Sequence, residues 1–238
     1  MTALHALSRQ DIAARLATPG SRAALLREAA DAGYPDAQAA LGQMLLDGDG
    51  VARDERAALG WFTRAAAQHH LMALNMVGRC YDLGWGAAVD KARAAQCYRV
   101  AAESGLDWAM YNYATLLALG DGVAEDKAEA LAWLEKAAAL GNAKAVNFVG
   151  SFAEDGWAGP RDMAKAARCY AQAAQGGDFR GCFNHARMLA DAGDVDGAVH
   201  WIGEAARLGH DRFRAQMRNW LARAPEPLRL RGLAVLPC

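Results

Sequence analysis

The 238-residue chain carries 26 lysine plus arginine residues against 27 aspartate plus glutamate residues, a formal net charge of −1 at pH 7. This balance gives no overall electrostatic case for nucleic acid or an anionic membrane as partner, so we expect protein partners. Apolar runs stay well short of the roughly 18 residues of a membrane helix, and the first twenty residues lack a signal-peptide core. These features predict a cytoplasmic protein. Many alanines and arginines with few lysines are typical of a bacterial protein.

The chain begins with residues 1–36, which are predicted to be capping helices with a degenerate first repeat. Ser8 is expected to open a first helix that ends at Thr18-Pro19-Gly20, and Ser21 to cap the next one. The apolar residues of this second helix fall one period before those of the following unit, which is why it is assigned to the repeats.

A helix, a glycine loop and a second helix then recur, most clearly in residues 109–144. Apolar side chains stand at helical spacing on both sides of a loop that contains Gly120 and Gly122. Glycine ends a helix in the left-handed conformation at low steric cost, and the Asp126 carboxylate can cap the helix that follows. Neither helix can bury its apolar stripe alone, so the unit needs a copy of itself on either side.

The copies are spaced by 36 residues until the last, whose loop is shorter by four. The five predicted repeats are residues 37–72, 73–108, 109–144, 145–180 and 181–212. The recurring loop glycines are Gly48, Gly84, Gly120 and Gly156, and the recurring capping aspartates are Asp54, Asp90, Asp126 and Asp162. The array is therefore predicted to be one continuous stack.

Residues 213–238 are predicted to form a C-terminal capping helix and a tail, because Pro225 and Pro227 break the sixth unit after its first helix. Five apolar tail residues are expected to fold back over the exposed end of the array: Leu228, Leu230, Leu233, Val235 and Leu236. The alternative is a flexible tail that docks elsewhere.

The repeated pattern, A-x-x-x-L-G-x-x-x-x-x-G-x-G-V-x-x-D followed by A-x-x-W and A-A-x-x-G, resembles the Sel1-like repeat family, the longer-looped relatives of tetratricopeptide repeats. The resemblance extends from about residue 21 to residue 221. It implies an all-α fold, a right-handed α-α superhelix (solenoid) of helix pairs. It also implies a scaffold or adaptor that acts in protein-protein interaction, although such a fold names no partner.

Constellations that could carry chemistry are weak in this sequence. The Asp47-Gly48-Asp49-Gly50 loop lacks the closing acid of a calcium site, and Cys182 with His185 would supply only two zinc ligands. The five cysteines include no C-x-x-C pair and are expected to be small buried hydrophobes. Since no catalytic triad order, phosphate loop or dinucleotide fingerprint is present, we expect a non-enzyme with no metal and no cofactor. A homodimer-forming structural protein and an enzyme with an unrecognised site remain alternatives.

By analogy with tetratricopeptide arrays, the first helix of each repeat lines a concave groove through its third and seventh residues. The predicted partner-binding residues are Asn75, Arg79, Tyr111, Thr115, Asn147, Ser151, Phe183 and Arg187. Asparagine can donate to and accept from a peptide backbone, and arginine can bind a carboxylate with two hydrogen bonds. All eight side chains are expected to be accessible to a protein or peptide. The alternative is an ordinary hydrated groove.

Two tryptophans are a possible secondary contact. Trp85 and Trp157 each follow the first loop glycine, a position expected to point outward. The alternative is that each indole lies over its neighbouring loop.

Overall fold

The computed structural model describes residues 8–237; residues 1–7 and Cys238, at the two ends of the predicted terminal regions, lie outside that description. Within it the chain forms fourteen α-helices and no strand, so the all-α prediction is confirmed. The helices are α1 (Arg9–Leu16), α2 (Pro19–Asp31), α3 (Pro35–Asp47), α4 (Glu55–Ala66), α5 (Leu71–Leu83), α6 (Lys91–Glu103), α7 (Asp107–Leu119), α8 (Lys127–Ala139), α9 (Ala143–Asp155), α10 (Met163–Gln175), α11 (Phe179–Asp191), α12 (Val195–Leu208), α13 (Asp211–Leu221) and α14 (Leu228–Ala234). Each helix of this described part is too short or too polar to cross a lipid bilayer.

The chain divides into two compact units between Glu125 and Asp126. The first unit contains α1–α7 and the second contains α8–α14. Helix pairs pack within each unit: α3 with α4 and α5 with α6 in the first, α9 with α10 and α11 with α12 in the second. Each pair also packs against a helix of the neighbouring repeat in its own unit, as α4 does against α5. The division falls inside the predicted repeat 109–144, between its two helices.

The helix ends follow the predicted glycine and aspartate columns. The helices α3, α5, α7 and α9 end at left-handed glycines with φ of 74°, 77°, 65° and 72°: Gly48, Gly84, Gly120 and Gly156. Four aspartates cap the following helices, each accepting from the backbone amide three residues on at 2.8 or 2.9 Å: Asp54, Asp90, Asp126 and Asp162. Each cap satisfies one of the amides that a helix start leaves unpaired.

A second loop glycine is needed where the loop lies on the backbone of the preceding repeat. Gly86 has φ of 72°, and a Cβ there would overlap the backbone of Glu55, at the start of α4. A Cβ on Gly122 would overlap Lys91, at the start of α6, in the same way. Glycine is therefore required both for the backbone conformation and for the close approach of two main chains.

The two helices of a repeat interlock through a small residue on the first helix and a large one on the second. A Cβ placed on the first-helix glycine would lie 2.7, 2.6 and 2.7 Å from a ring carbon in three pairs: Gly42 with Phe62, Gly78 with Tyr98, and Gly150 with Tyr170. In the last repeat the equivalent positions hold Ala186 and Ile202, which are fully buried in one cluster. In these three repeats an aromatic ring therefore faces a glycine, whereas the alanine of the last repeat is paired with an aliphatic side chain.

The N-terminal helix boundary differs from the sequence expectation. Helix α2 begins at Pro19, with Thr18 as its cap, and the Thr18 Oγ1 accepts from the Ser21 amide at 3.5 Å. The predicted cap at Ser21 is wrong because proline is well suited to the first position of a helix, where its missing N–H costs nothing.

The C-terminal tail forms α14, which packs against α12 and α13. Leu228 and Leu236 are buried there, beside Leu221 of α13. Three of the five tail residues expected to fold back remain exposed: Leu230, Leu233 and Val235. One face of the tail thus covers the end of the second unit's core, and the other face is open.

His69 gives a stability test of the repeat geometry. It is the only described non-glycine residue with positive φ, at 64°, and it stands where glycine follows α6 and α8 as Gly105 and Gly141. Because a Cβ strains the left-handed conformation, His69→Gly should raise the free energy of unfolding by about 1 kcal/mol, measured by chemical denaturation. Gly105→Ala is the matched control, since a Cβ added at residue 105 would meet no neighbouring atom. The strained left-handed backbone alone should then lower the free energy of unfolding by a similar amount. An unchanged free energy of unfolding in His69→Gly would contradict the assignment of residue 69 to the left-handed position that glycine fills after α6 and α8.

Candidate partner-binding surfaces

In the first unit, an asparagine pair joins the first helices of two successive repeats. The Asn112 Nδ2 on α7 donates to the Asn75 Oδ1 on α5 at 2.9 Å. Asn75 is only 3% exposed, so its amide is used inside the protein. A buried amide of this kind is costly unless it is hydrogen-bonded.

The second unit repeats this arrangement. The Asn184 Nδ2 on α11 donates to the Asn147 Oδ1 on α9 at 2.9 Å, and Asn147 is 8% exposed. The expectation that Asn75 and Asn147 are accessible to a partner is therefore wrong. The third residue of one repeat meets the fourth residue of the next, and the recurrence of asparagine at a spacing of 37 residues is the sequence signal that identifies Asn112 and Asn184.

Three other predicted residues of the first unit are half-buried and reach the surface: Arg79, Tyr111 and Thr115. Tyr111 and Thr115 are one turn apart on α7, and the Thr115 Oγ1 donates to the Tyr111 carbonyl oxygen at 2.8 Å. Helical spacing places these two side chains on one face of α7. Their contact with a partner stays a prediction.

In the second unit, Arg187 is part of a hydrogen-bond network centred on Glu154. The Arg187 Nη2 lies 2.7 Å from the Glu154 Oε1, and its Nη1 donates to the Asn184 Oδ1 at 3.1 Å. The Tyr170 hydroxyl lies 2.6 Å from the Glu154 Oε2 and 3.3 Å from the Ser151 Oγ. Ser151 and Arg187 are therefore half-buried residues with internal partners already in place.

The network has a defined protonation state at neutral pH. Burial alone would raise the pKa of Glu154, but hydrogen bonds from Tyr170 and Arg187 outweigh it and hold that pKa below its ordinary value. Burial and the neighbouring Glu154 raise the pKa of Tyr170. An ionised carboxylate is thus bound by a cation on one side and by a neutral phenol on the other.

Phe183 faces the C-terminal end of the second unit. Its ring packs edge-on against Phe213 and Trp220, with centroid separations of 5.8 and 5.2 Å. Such aromatic pairs contribute stability beyond the area they bury. The half-buried Phe183 therefore stabilises the packing of α11 against α13, and its contact with a partner stays a prediction.

The two loop tryptophans lie against their own repeats. Trp85 is half-buried on the core of the first unit, with the guanidinium carbon of Arg79 4.9 Å from its ring centroid. Trp157 is 39% exposed, and its ring packs edge-on against Phe152 with a centroid separation of 5.2 Å. Sequence reasoning treated Arg79 and Trp85 as parts of two rival surfaces, whereas the fold brings them together.

Burial shifts the pKa values of two thiols and one imidazole among the described residues. Burial raises the pKa of Cys80 and of Cys182 to about 11, so both are protonated at neutral pH. Burial lowers the pKa of His185, whose ring packs edge-on against Trp201. Among the described residues, no three His, Cys, Asp or Glu side chains are placed to hold a metal ion.

The repeats match a known family model. The Sel1 repeat model aligns with residues 35–70, 71–106, 109–142, 143–178 and 182–210, which together make up most of the chain. The chain belongs to the Sel1 repeat family. The family-model boundaries begin near the helix starts, two residues before the predicted ones in the first two repeats.

Solved structures share this Sel1 fold. A Sel1 repeat protein from Oxalobacter formigenes is 26% identical, with a TM-score of 0.73 over 85% of this chain and 87% of that one. A protective antigen of uropathogenic Escherichia coli with an SLR fold is 27% identical, with a TM-score of 0.67 over 91% of this chain; this chain covers 48% of that protein. A Pseudomonas aeruginosa immunity protein, 16% identical with a TM-score of 0.59 over 84% of this chain and 80% of that one, shares the fold alone.

The Glu154 network gives a pH-dependent test. Glu154→Gln should lower the free energy of unfolding by about 1–3 kcal/mol at pH 7, because it leaves Arg187 without a charged partner. The pKa of Glu154 is lowered by folding, so its contribution is present above the ordinary value of about 4.3 and is lost as pH falls through the folded value.

Denaturation of both proteins at pH 7 and below pH 4 checks this expectation, and the difference between them should shrink in acid. Glu135→Gln is the control, since Glu135 pairs with Lys165 at 2.9 Å on the surface and should change stability by less than about 1 kcal/mol. Equal effects of the two substitutions would show that the Glu154 network adds nothing beyond a surface ion pair.

Proposed function

We propose that this Sel1 repeat protein is a non-enzymatic scaffold that binds a protein or peptide partner through the first helices of its repeats. The supporting observation is that side-chain hydrogen bonds tie neighbouring first helices together in each unit, Asn75 to Asn112 and Asn147 to Asn184. The fold itself commonly serves as a protein-protein interaction scaffold.

The half-buried first-helix residues suit such a role. In the first unit Arg79 and Tyr111 lie on helices joined by the asparagine pair, so their positions are fixed before a partner arrives. Binding then costs less conformational entropy than it would on a mobile surface. Tyrosine and arginine are also the residue types in which binding energy concentrates at protein interfaces.

The state of two half-buried carboxylates, Asp82 and Glu154, supports the non-enzymatic part of the proposal. Asp82 lies 2.5 Å from the Lys91 Nζ and accepts from the Tyr98 hydroxyl at 3.2 Å. Glu154 is bound in the same way by Arg187 and Tyr170. Carboxylates neutralised by such partners are stabilising groups and are poorly suited to take a proton from a substrate at neutral pH.

We further place the protein in the bacterial cytoplasm. The related structures with the highest identities named above come from bacteria. Cys80, Cys97, Cys169 and Cys182 are free thiols, a state that suits a reducing compartment.

Capture of the native partner from the bacterial host tests the scaffold role. Tyr111→Ala and Thr115→Arg alter the first-helix face of α7 and should each weaken capture at least about tenfold, with little change in melting temperature, because interface hot spots carry most of the binding energy. Capture is quantified by mass spectrometry against the parent protein.

Arg99→Ala and Val100→Arg are the matched controls, because both positions are exposed on α6, a second helix. They should capture the partner normally. Loss of capture in the α6 variants with normal capture in the α7 variants would move the binding face to the second helices. A light-scattering mass of a dimer, with no captured partner, would favour the homodimer instead.

A further inference from the structure

Two arginines occupy the same repeat position, the seventh, and have opposite environments. Arg187 in the second unit binds the Glu154 carboxylate at 2.7 Å and the Asn184 amide oxygen at 3.1 Å. Arg79 in the first unit makes only a weak contact with a thioether, its Nη1 lying 3.7 Å from the Met76 Sδ, and stacks on Trp85. No carboxylate of the described residues lies within ion-pair distance of Arg79.

The repeat register explains the difference. Glu154 is the tenth residue of the repeat before Arg187, and the tenth residue of the repeat before Arg79 is Leu46. Asn184 is the fourth residue of its repeat, and Met76 takes that position beside Arg79. Both acceptors of the second unit are therefore replaced by apolar side chains in the first.

A cavity of about 320 Å³ opens beside Leu46, the residue that replaces one of the two missing acceptors. Its walls are formed by the following residues of the first unit: Gln43, Leu46, Asp47, Arg53, Arg79 and Trp85. The other polar groups in the walls already have partners. The Gln43 Nε2 donates to the Asp47 Oδ2 at 2.7 Å, and the Arg53 Nη2 lies 2.5 Å from the Glu55 Oε1.

We propose that this cavity, the Arg79 pocket, binds a carboxylate of the partner peptide, which takes the place that Glu154 occupies beside Arg187. Stacking on Trp85 uses the face of the guanidinium and leaves its N–H edge for two hydrogen bonds in the plane. Leu46 and Trp85 supply apolar wall for the carbon atoms that carry the carboxylate. The proposal rests on the scaffold role and names the chemistry of one contact.

The carboxylate could be an acidic side chain or a chain terminus, and four peptides distinguish these sources. Acetyl-Leu-Glu-Leu-amide carries only a side-chain carboxylate, with acetyl-Leu-Gln-Leu-amide as its neutral match. Acetyl-Leu-Leu with a free C-terminus carries only a terminal carboxylate, with its C-terminal amide as the match. Binding to the full chain is followed by the NMR signal of the Trp85 indole N–H, assigned with Trp85→Phe.

At least one carboxylate peptide should shift the Trp85 signal with saturation, and its neutral match should not. Arg79→Met should weaken that binding at least tenfold, because the carboxylate loses its charged hydrogen-bonding partner. Arg187→Met, the same change at the same repeat position, should leave it unchanged. No shift with either carboxylate peptide at millimolar concentration, or equal shifts with the neutral peptides, would overturn the proposal.

A second pair of variants tests the register argument without removing Arg79. Leu46→Glu should supply the internal carboxylate, occupy the guanidinium and abolish peptide binding, whereas Leu46→Gln should retain it. Thermal melts confirm that both variants are folded. Equal binding by the two variants would show that charge at this position is irrelevant and would contradict the proposal.

The outcome is separable from that of the scaffold proposal. In one outcome, peptide binding depends on Arg79 while capture of the native partner is unchanged by Arg79→Met. That result would overturn the role of the pocket in partner capture, because the carboxylate bound there would not be the captured partner's. Partner capture that depends on Tyr111, with no peptide binding at the pocket, would leave the scaffold role standing and reject the pocket.

Discussion

The close contact between a glycine on the first helix and a ring on the second is the constraint on which three of the five repeats depend. Because residue 42 is glycine, the Phe62 ring reaches the backbone of α3. A side chain at residue 42 would have to displace that ring. Protein interiors are packed as densely as organic crystals, so an added methyl group at such a contact cannot be absorbed locally. The pair Ala186 and Ile202 shows that volume added on one helix is matched by a changed shape on the other.

The polar contacts of the first helices belong to the same packed arrangement. Asn75 reaches Asn112 in the first unit, and Asn147 reaches Asn184 in the second, at equal distances of 2.9 Å. Equal geometry in two separate units shows that the repeats set the placement. The individual sequence then decides what each position does, as the comparison of Arg187 with Arg79 illustrates. One arginine completes an internal network and the other opens onto a cavity.

Much of the fold was predictable from the sequence because its signals are local. A left-handed glycine such as Gly48 and a capping carboxylate such as Asp54 act within a few residues of themselves, so a repeated spacing is enough to identify them. Burial of Asn75 was not predictable from helical spacing alone. Whether its side chain meets solvent depends on a partner 37 residues away, in a neighbouring repeat.

The candidate site shows the same limit. The sequence identified Arg79 and Trp85 as notable residues, but the loop after α5 turns back so that the indole stacks on the guanidinium, and this return is a tertiary property. Similarly, Arg187 was recognised as a first-helix residue, yet its ion pair with Glu154 depends on the packing of α9 against α11. Residue type and repeat position restrict what a side chain can do, and its neighbours decide the outcome.

A double-mutant cycle at Gly42 and Phe62 tests the helix interlock most directly. Gly42→Ala should destabilise the protein by about 1–3 kcal/mol despite the better helix propensity of alanine, because the methyl group overlaps the ring. Combined with Phe62→Leu, which imitates the pairing of Ala186 with Ile202, the same substitution should cost at least about 1 kcal/mol less. Free energies of unfolding that add to within about 0.5 kcal/mol would show that the two residues do not interlock.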